Sequence, residues 1–320
     1  MTNVSFEAIE KRRNTMNRTR RATRITAILA GSAALVTVGV APAFASPTTK
    51  SPTCDSTWYP SVASAHPNAS INSELADYVD QAGAGEWVGG DSNYIVKLPD
   101  DRLVGLYSDT FTGPVNPDGS IAPDGNFIHN SMLVWDGESL ETIQGGTAEA
   151  PASIIEPEDE DNWYWQNAAQ VNGDELQVIN LEFHQTGTTG IFDFEFVRNV
   201  IARYDVDDLS LIDLTELPSS IPNLEWNAWL QQEGGYTYIY GVRDGSSLGQ
   251  PKYLRIARVV GTDLLGTWEY FTGSGWSTSE TSGADLLPGV GNNFSVSKIG
   301  GVYVLVTQDT TEIFSRKVVM

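Results

Sequence analysis

From Trp87 to the end of the chain, apolar positions fall in short runs separated by Gly, Asp and Asn, the pattern of strands joined by tight turns. Runs at 94–98 and 103–107 flank the turn Pro99-Asp100-Asp101-Arg102, and a run at 132–135 ends on the hairpin signal Asp136-Gly137. The phrase returns three times. Runs at 167–171, 176–183 and 199–204 surround the turn Asn172-Gly173-Asp174. Runs at 226–231, 236–242 and 253–260 surround Glu233-Gly234-Gly235, and runs at 294–298, 302–308 and 314–319 surround Gly300-Gly301. A first strand, a turn, a longer β-branched and aromatic strand and a third strand therefore recur with a period of about 60–70 residues. Radial repetition of small antiparallel sheets leaves only short, protected strand edges, so the pattern predicts an all-β propeller with about three and a half to four blades present. A sandwich accounts for alternating strands but not for the repeated phrase. Leu75, Tyr78 and Val79, at helical spacing behind Ser73, predict one short N-terminal helix over 73–82.

The chain before this region reads differently. Lys11, Arg12, Arg13, Arg18, Arg20, Arg21 and Arg24 precede an apolar stretch at 25–40 that ends in Ala43-Phe44-Ala45, the arrangement of a signal peptide over 1–45 with cleavage before Ser46. A retained membrane anchor is the competing reading, weakened by an apolar run shorter than the ~20 residues of a span. Residues 46–72, rich in Ser, Pro, Thr and Ala, read as a flexible linker, leaving 73–320 as the propeller domain. The first 45 residues carry seven of the 19 Lys and Arg and two of the 41 Asp and Glu, so the remainder has 12 basic and 39 acidic side chains, net −27. Such a charge disfavours nucleic acid and anionic membrane surfaces as partners and suits a secreted, extracellular protein with a neutral or cationic ligand. The single cysteine, Cys54, has no partner in the chain. With the ending directly after a third strand, it makes the propeller read as C-terminally incomplete.

Several segments carry a resemblance. Gly89-Gly90-Asp91-Ser92-Asn93-Tyr94, Leu98-Pro99-Asp100, Ser108-Asp109-Thr110-Phe111 and Ile128-His129-Asn130-Ser131 resemble secreted proteins grouped as domain of unknown function families 4185 and 5005. Asn162-Trp163-Tyr164-Trp165, the run at 234–241 and Asn293-Phe294-Ser295-Val296 extend the likeness over about 85–320. The resemblance implies a five-bladed propeller of the furanosidase and fructosidase kind and, loosely, a polysaccharide substrate such as arabinan or another furanoside polymer. In such a fold first strands aim side chains at a central funnel, and glycoside cleavage needs a carboxylic acid for the leaving oxygen and a carboxylate as base or nucleophile.

Asp91, after two glycines on the expected first inner strand, is the leading base or nucleophile; an Asx turn is the alternative. Asp109, flanked by the hydroxyls of Ser108 and Thr110, is the supporting acid; its alternative is a strand-end residue bonded to backbone amides. Glu225, beside the indole of Trp226, is the candidate general acid, since desolvation raises a carboxyl's pKa; an exposed strand start is the alternative. His129 and Asn130 are candidate sugar contacts, and Trp165 and Trp226 candidate stacking faces. Structural roles compete for each, with packing between blades the usual fate of such tryptophans.

The second inner strand, Gln166-Asn167-Ala168-Ala169-Gln170-Val171, departs from the expected pattern by carrying no carboxylate. That keeps a non-catalytic carbohydrate-binding propeller, or a degenerate family member, as the alternative to an enzyme. Motifs for nucleotide binding, a serine nucleophile or zinc are absent, and the three histidines lack metal-ligand spacing. No cofactor is expected. A structural calcium at the Asp-rich turns 156–161 or 204–208 is the one ion the composition leaves room for.

Overall fold

The computed structural model describes residues 66–121, 126–188, 193–217, 219–245, 251–311 and 318–319; the export segment, most of the linker and Cys54 lie outside them. One helix, α1 (Ala69–Gln81), precedes the strands. It begins four residues before the expected start, because Asn68 rather than Ser73 supplies the cap, its side chain accepting from Ile71 N–H. Ser73 sits inside the helix, and Tyr78 ties it to the sheets through a 2.8 Å bond with Thr142.

Four antiparallel sheets follow in chain order. The first runs β2 (Tyr94–Lys97), β3 (Leu103–Tyr107), β6 (Ser131–Trp135), β7 (Leu140–Ile143). The second runs β10 (Asn162–Asn172), β11 (Glu175–Gln185), β12 (Phe194–Asp205), β13 (Leu211–Leu217). The third runs β14 (Leu224–Glu233), β15 (Tyr236–Arg243), β16 (Tyr253–Val260), β17 (Glu269–Phe271), β18 (Trp276–Ser277), and the fourth β19 (Phe294–Ile299), β20 (Val302–Gln308), β21 (Val318–Val319). The first strands lie side by side: β10 contacts β2 and β14, and β14 contacts β19. The hydroxyl of Tyr94 on β2 even donates to the carbonyl of Ala228 on β14, 2.5 Å away. Small sheets in chain order, each with its first strand innermost, form a propeller.

The core lies between blades. Along β11, Leu176 and Val178 pack toward the first sheet, against Val104, Leu106 and Met132, while Ile179 packs toward the third, against Trp226 and Ile239. Alternate residues thus enter opposite interfaces, which is why β11 is buried from Leu176 to Phe183 on both faces, its polar Gln177, Asn180 and Glu182 included. A third interface joins Ala228, Tyr240 and Val242 to Val290, Phe294 and Val296.

Two smaller sheets lie outside the expected phrase: β1 (Trp87–Gly90) with β4 (Thr110–Thr112) and β5 (Asn126–Ile128), and the pair β8 (Gly145–Gly146), β9 (Pro151–Ala152). Asp91 belongs with the former. It follows β1 at a bend and is not on the innermost strand, because Ser92 and Asn93, at φ 69° and 53°, break the chain before β2 begins at Tyr94.

Candidate functional site

The sheet β1-β4-β5 brings candidate side chains together. Its register places Gly89 opposite Phe111 and Phe111 opposite Phe127. One step along, Asp91 donates its backbone N–H to the carbonyl of Asp109 at 3.0 Å, and Asp109 Oδ1 lies 2.8 Å from His129 Nδ1. Asp91, Asp109 and His129 each lie one residue beyond the ends of β1, β4 and β5, so they gather at one end of the sheet, next to Gly89, Phe111 and Phe127. The edge contact of Phe127 with His129, 5.1 Å between centroids, joins the two groups.

The intervening residues face the other way. Ser108 and Thr110 are buried; the Ser108 hydroxyl donates to the Gln166 carbonyl, and that of Thr110 donates to the Ser108 carbonyl and meets Ser131. The two hydroxyls expected to support Asp109 therefore bond elsewhere. That support comes from β10, whose Trp165 indole donates to Asp109 Oδ1 at 2.6 Å. Trp165 is held in place by Phe183 and Phe194, and Trp163, two residues earlier on the same face, stacks on His129 at 4.9 Å. Asp109 Oδ2 has no hydrogen-bond partner among the described residues. Partial burial, and then the neighbouring charge of Asp109, push the Asp91 carboxyl above the ordinary range.

The structure thus brings Asp91, Asp109, His129 and Trp165 together. Glu225 belongs to another cluster. Its Oε2 accepts from Asn292 Nδ2 at 3.0 Å, and Asn292 in turn accepts from Lys252, which pairs with Asp244 at 2.6 Å. Burial pushes Glu225 up to about 7, as expected for a general acid, with Lys252 opposing and Asp244 reinforcing the shift. Its hydrogen-bond partners are not those of Asp91, whose near acidic neighbour is Asp109. Nor does Trp226 offer a sugar-stacking face. It is 1% exposed, packed against Gly241, and its indole donates to Glu280.

Asn130 is likewise framework and not a sugar contact. Fully buried, it donates to the carbonyls of Ile155 and Tyr164 and accepts from Ile155 N–H. Asn199 makes the corresponding bridge in the next blade, donating to the Leu224 carbonyl and accepting from Trp226 N–H. Each asparagine fastens one blade to the first strand of the next, the obligatory pairing of buried backbone groups.

Sequence reasoning missed Phe111 and Phe127. The signal was present: one lies two residues after Asp109 and the other two before His129, the period of a shared strand face. A cavity of about 360 Å³ opens between the third and fourth sheets, lined by Tyr238, Phe271, Trp276 and Tyr303 among others. Among the described residues no carboxylate lines it, so it lacks the acid pair of glycoside cleavage. No grouping of three or more His, Cys, Asp or Glu able to hold a metal occurs among the described residues. Carboxylates of the Asp-rich turns cap their own backbone, as Asp159 does for Asp161 N–H and Asp205 for Asp207 N–H. No helix among the described residues is long and apolar enough to cross a membrane.

A family model described as "Domain of unknown function (DUF5005)" matches residues 72–320. No curated protein matches in sequence. Among solved structures, a Bacteroides ovatus protein described as a "putative hydrolase" superposes with a TM-score of 0.59 at 19% identity, over 73% of this chain and 66% of its own. An α-L-arabinofuranosidase from Clostridium thermocellum gives 0.38 at 10% identity, over 69% of this chain and 61% of its own. An α-L-arabinanase from Cellvibrio cellulosa, complexed with arabinohexaose, gives 0.38 at 14%, over 70% of each chain. The chain spans slightly less than two thirds of the first two. The first likeness concerns the fold.

Proposed function

The chain belongs to the family described as domain of unknown function 5005, and from the paired acids on its propeller scaffold we propose a secreted glycoside hydrolase acting on a neutral extracellular or cell-wall polysaccharide. The observation that carries the reading is the juxtaposition of Asp91 and Asp109. Asp91 N–H bonds the Asp109 carbonyl at 3.0 Å and the Asp109 charge acts on the Asp91 carboxyl, the close placement of two acids that a retaining glycosidase requires. Asp91, whose pKa is raised, holds the proton; Asp109 is the carboxylate, with Oδ1 fixed by Trp165 and His129 and Oδ2 free to react. In the first step Asp91 gives its proton to the glycosidic oxygen as the bond to the anomeric carbon breaks, and Asp109 Oδ2 bonds to that carbon. In the second, Asp91 takes a proton from water, the resulting hydroxide bonds to the anomeric carbon, and the Asp109 ester breaks. Both carboxyls return to their starting state.

The test is release of new reducing ends from arabinan and related furanoside polymers. Asp91→Asn and Asp109→Asn should each lower the rate by about 10²–10⁴-fold, the usual worth of acid–base catalysis, with thermal melting nearly unchanged. Unaltered turnover in either variant removes that residue from the mechanism. A second reading, carbohydrate binding without turnover, is favoured by the second inner strand, whose residues 166–171 include no carboxylate. Binding of a glycan by the wild type without released sugar would select it.

A further inference from the structure

Phe111 and Phe127 are large apolar side chains left open to solvent, at 38% and 47% exposure, directly opposite one another on β4 and β5. Their rings meet edge to face at 5.3 Å. Beside Phe111 on β1 stands Gly89, where an added Cβ would meet nothing within 4 Å, so the third position of the row is bare backbone open to solvent. The aromatic surface continues from Phe127 to His129 and from His129 to Trp163, at 5.1 and 4.9 Å. A strip of rings therefore runs directly alongside Asp91 and Asp109 and shares His129 with them. Exposed apolar rings arranged in a row and bordered by hydrogen-bonding groups match a ligand that alternates C–H faces with hydroxyl edges.

We propose that Gly89, Phe111 and Phe127 form a stacking platform for the sugar rings of a neutral polysaccharide, a subsite that holds the chain beside the carboxylate pair. The chemical class of the occupant rests on the hydrolase reading; the place of the subsite rests on the register of the sheet. Continuity with the polar group argues for a chain that crosses both groups, as a polysaccharide does. The carboxylates at the rim, and the net charge of −22, exclude an anionic glycan.

The experiment measures binding of the full chain to soluble neutral polysaccharides, arabinan first, with polygalacturonate as the anionic comparison. Phe111→Ala/Phe127→Ala should weaken neutral-glycan binding by about tenfold. Phe127→Tyr, which keeps the ring, should retain it and so excludes misfolding as the cause. Asp109→Asn should still bind, because it removes chemistry and leaves the platform. Equal binding by the wild type and the double alanine variant overturns the platform while leaving the hydrolase reading standing. Tight binding of polygalacturonate overturns the assigned glycan class. A wild type that binds and cleaves no glycan sinks the hydrolase reading and the platform's ligand together; self-association lost in the double variant would then assign the strip to a protein contact.

Discussion

Glu225 provides a test of the electrostatics that needs no substrate. The residue is 4% exposed and its pKa is raised from 4.5 to about 7 by burial. Between those values the folded state holds a proton that the unfolded chain releases. The contribution of Glu225 to stability therefore falls as pH rises from about 4.5 to about 7 and is level beyond it. The displacement corresponds to about 3 kcal/mol, taken as a ceiling because water admitted to the site lowers it. Glu225→Gln keeps the shape and an oxygen for Asn292 but carries no charge at any pH. Lys252 is not stranded, since Asp244 pairs with it. Relative to wild type, the variant should gain nothing at pH 4 and about 3 kcal/mol at pH 8. For a domain of this size that is a rise in melting temperature of about 6–12 °C. Thermal melts of both proteins at the two pH values measure it. A difference independent of pH, or a wild type more stable than the variant at pH 8, would show that Glu225 is ionised in the fold and held by Lys252, refuting the reasoning.

Three further substitutions probe the other cluster. Trp165→Phe keeps a ring between Phe183 and Phe194 but removes the N–H on Asp109 Oδ1; kcat on a susceptible glycan should fall about 10- to 100-fold, the worth of a hydrogen bond to a charged group, with KM little changed in steady-state assays. Gly90→Ala puts a methyl 3.1 Å from Trp87 and Tyr107 and 3.2 Å from the Asp109 carbonyl, and should cost about 1–3 kcal/mol in urea denaturation; Gly89→Ala, which meets nothing, should change stability by less than about 0.5 kcal/mol.

In the first three blades the first three strands were legible because the central ones, β3, β11 and β15, are buried between neighbours and rich in aliphatic and aromatic residues. Fourth strands were not. β13, with Leu211, Ile212 and Leu214 exposed, and β7, with its charged Glu141, lie at the edge of their sheets, where burial imposes little pattern. Three-residue strands such as β4 and β5 are too short to show a period. Asp91, Asp109, His129 and Trp165 were candidates for one site in the sequence, but their contacts with one another were not legible, since these depend on the pairing of β1 with β4 and on a hydrogen bond spanning 56 residues. The indole next in sequence to Glu225 points into the core between β12 and β16, so adjacency along the chain gave the right burial for the wrong reason.

The missing acid on the second inner strand has a structural cause that can be tested. Gln166 is fully buried, and its amide donates to the carbonyls of Tyr107, 3.0 Å away, and Ser131, fastening β10 to the ends of β3 and β6. An amide brings two N–H groups to two acceptors; a carboxylate brings none, and a protonated carboxyl only one. Gln166→Glu should therefore destabilise the fold by about 3–5 kcal/mol at pH 7, the cost of an uncompensated buried charge. Gln166→Met, which leaves the carbonyls unpaired without adding charge, should cost less, about 1–3 kcal/mol. Desolvation raises the introduced carboxyl's pKa, so the gap between the two variants should narrow as pH falls from 7 to 5, read as urea midpoints at both. A Gln166→Glu protein as stable as wild type at pH 7 would show that an acid fits here, and that its absence reflects a requirement of chemistry and not of blade docking.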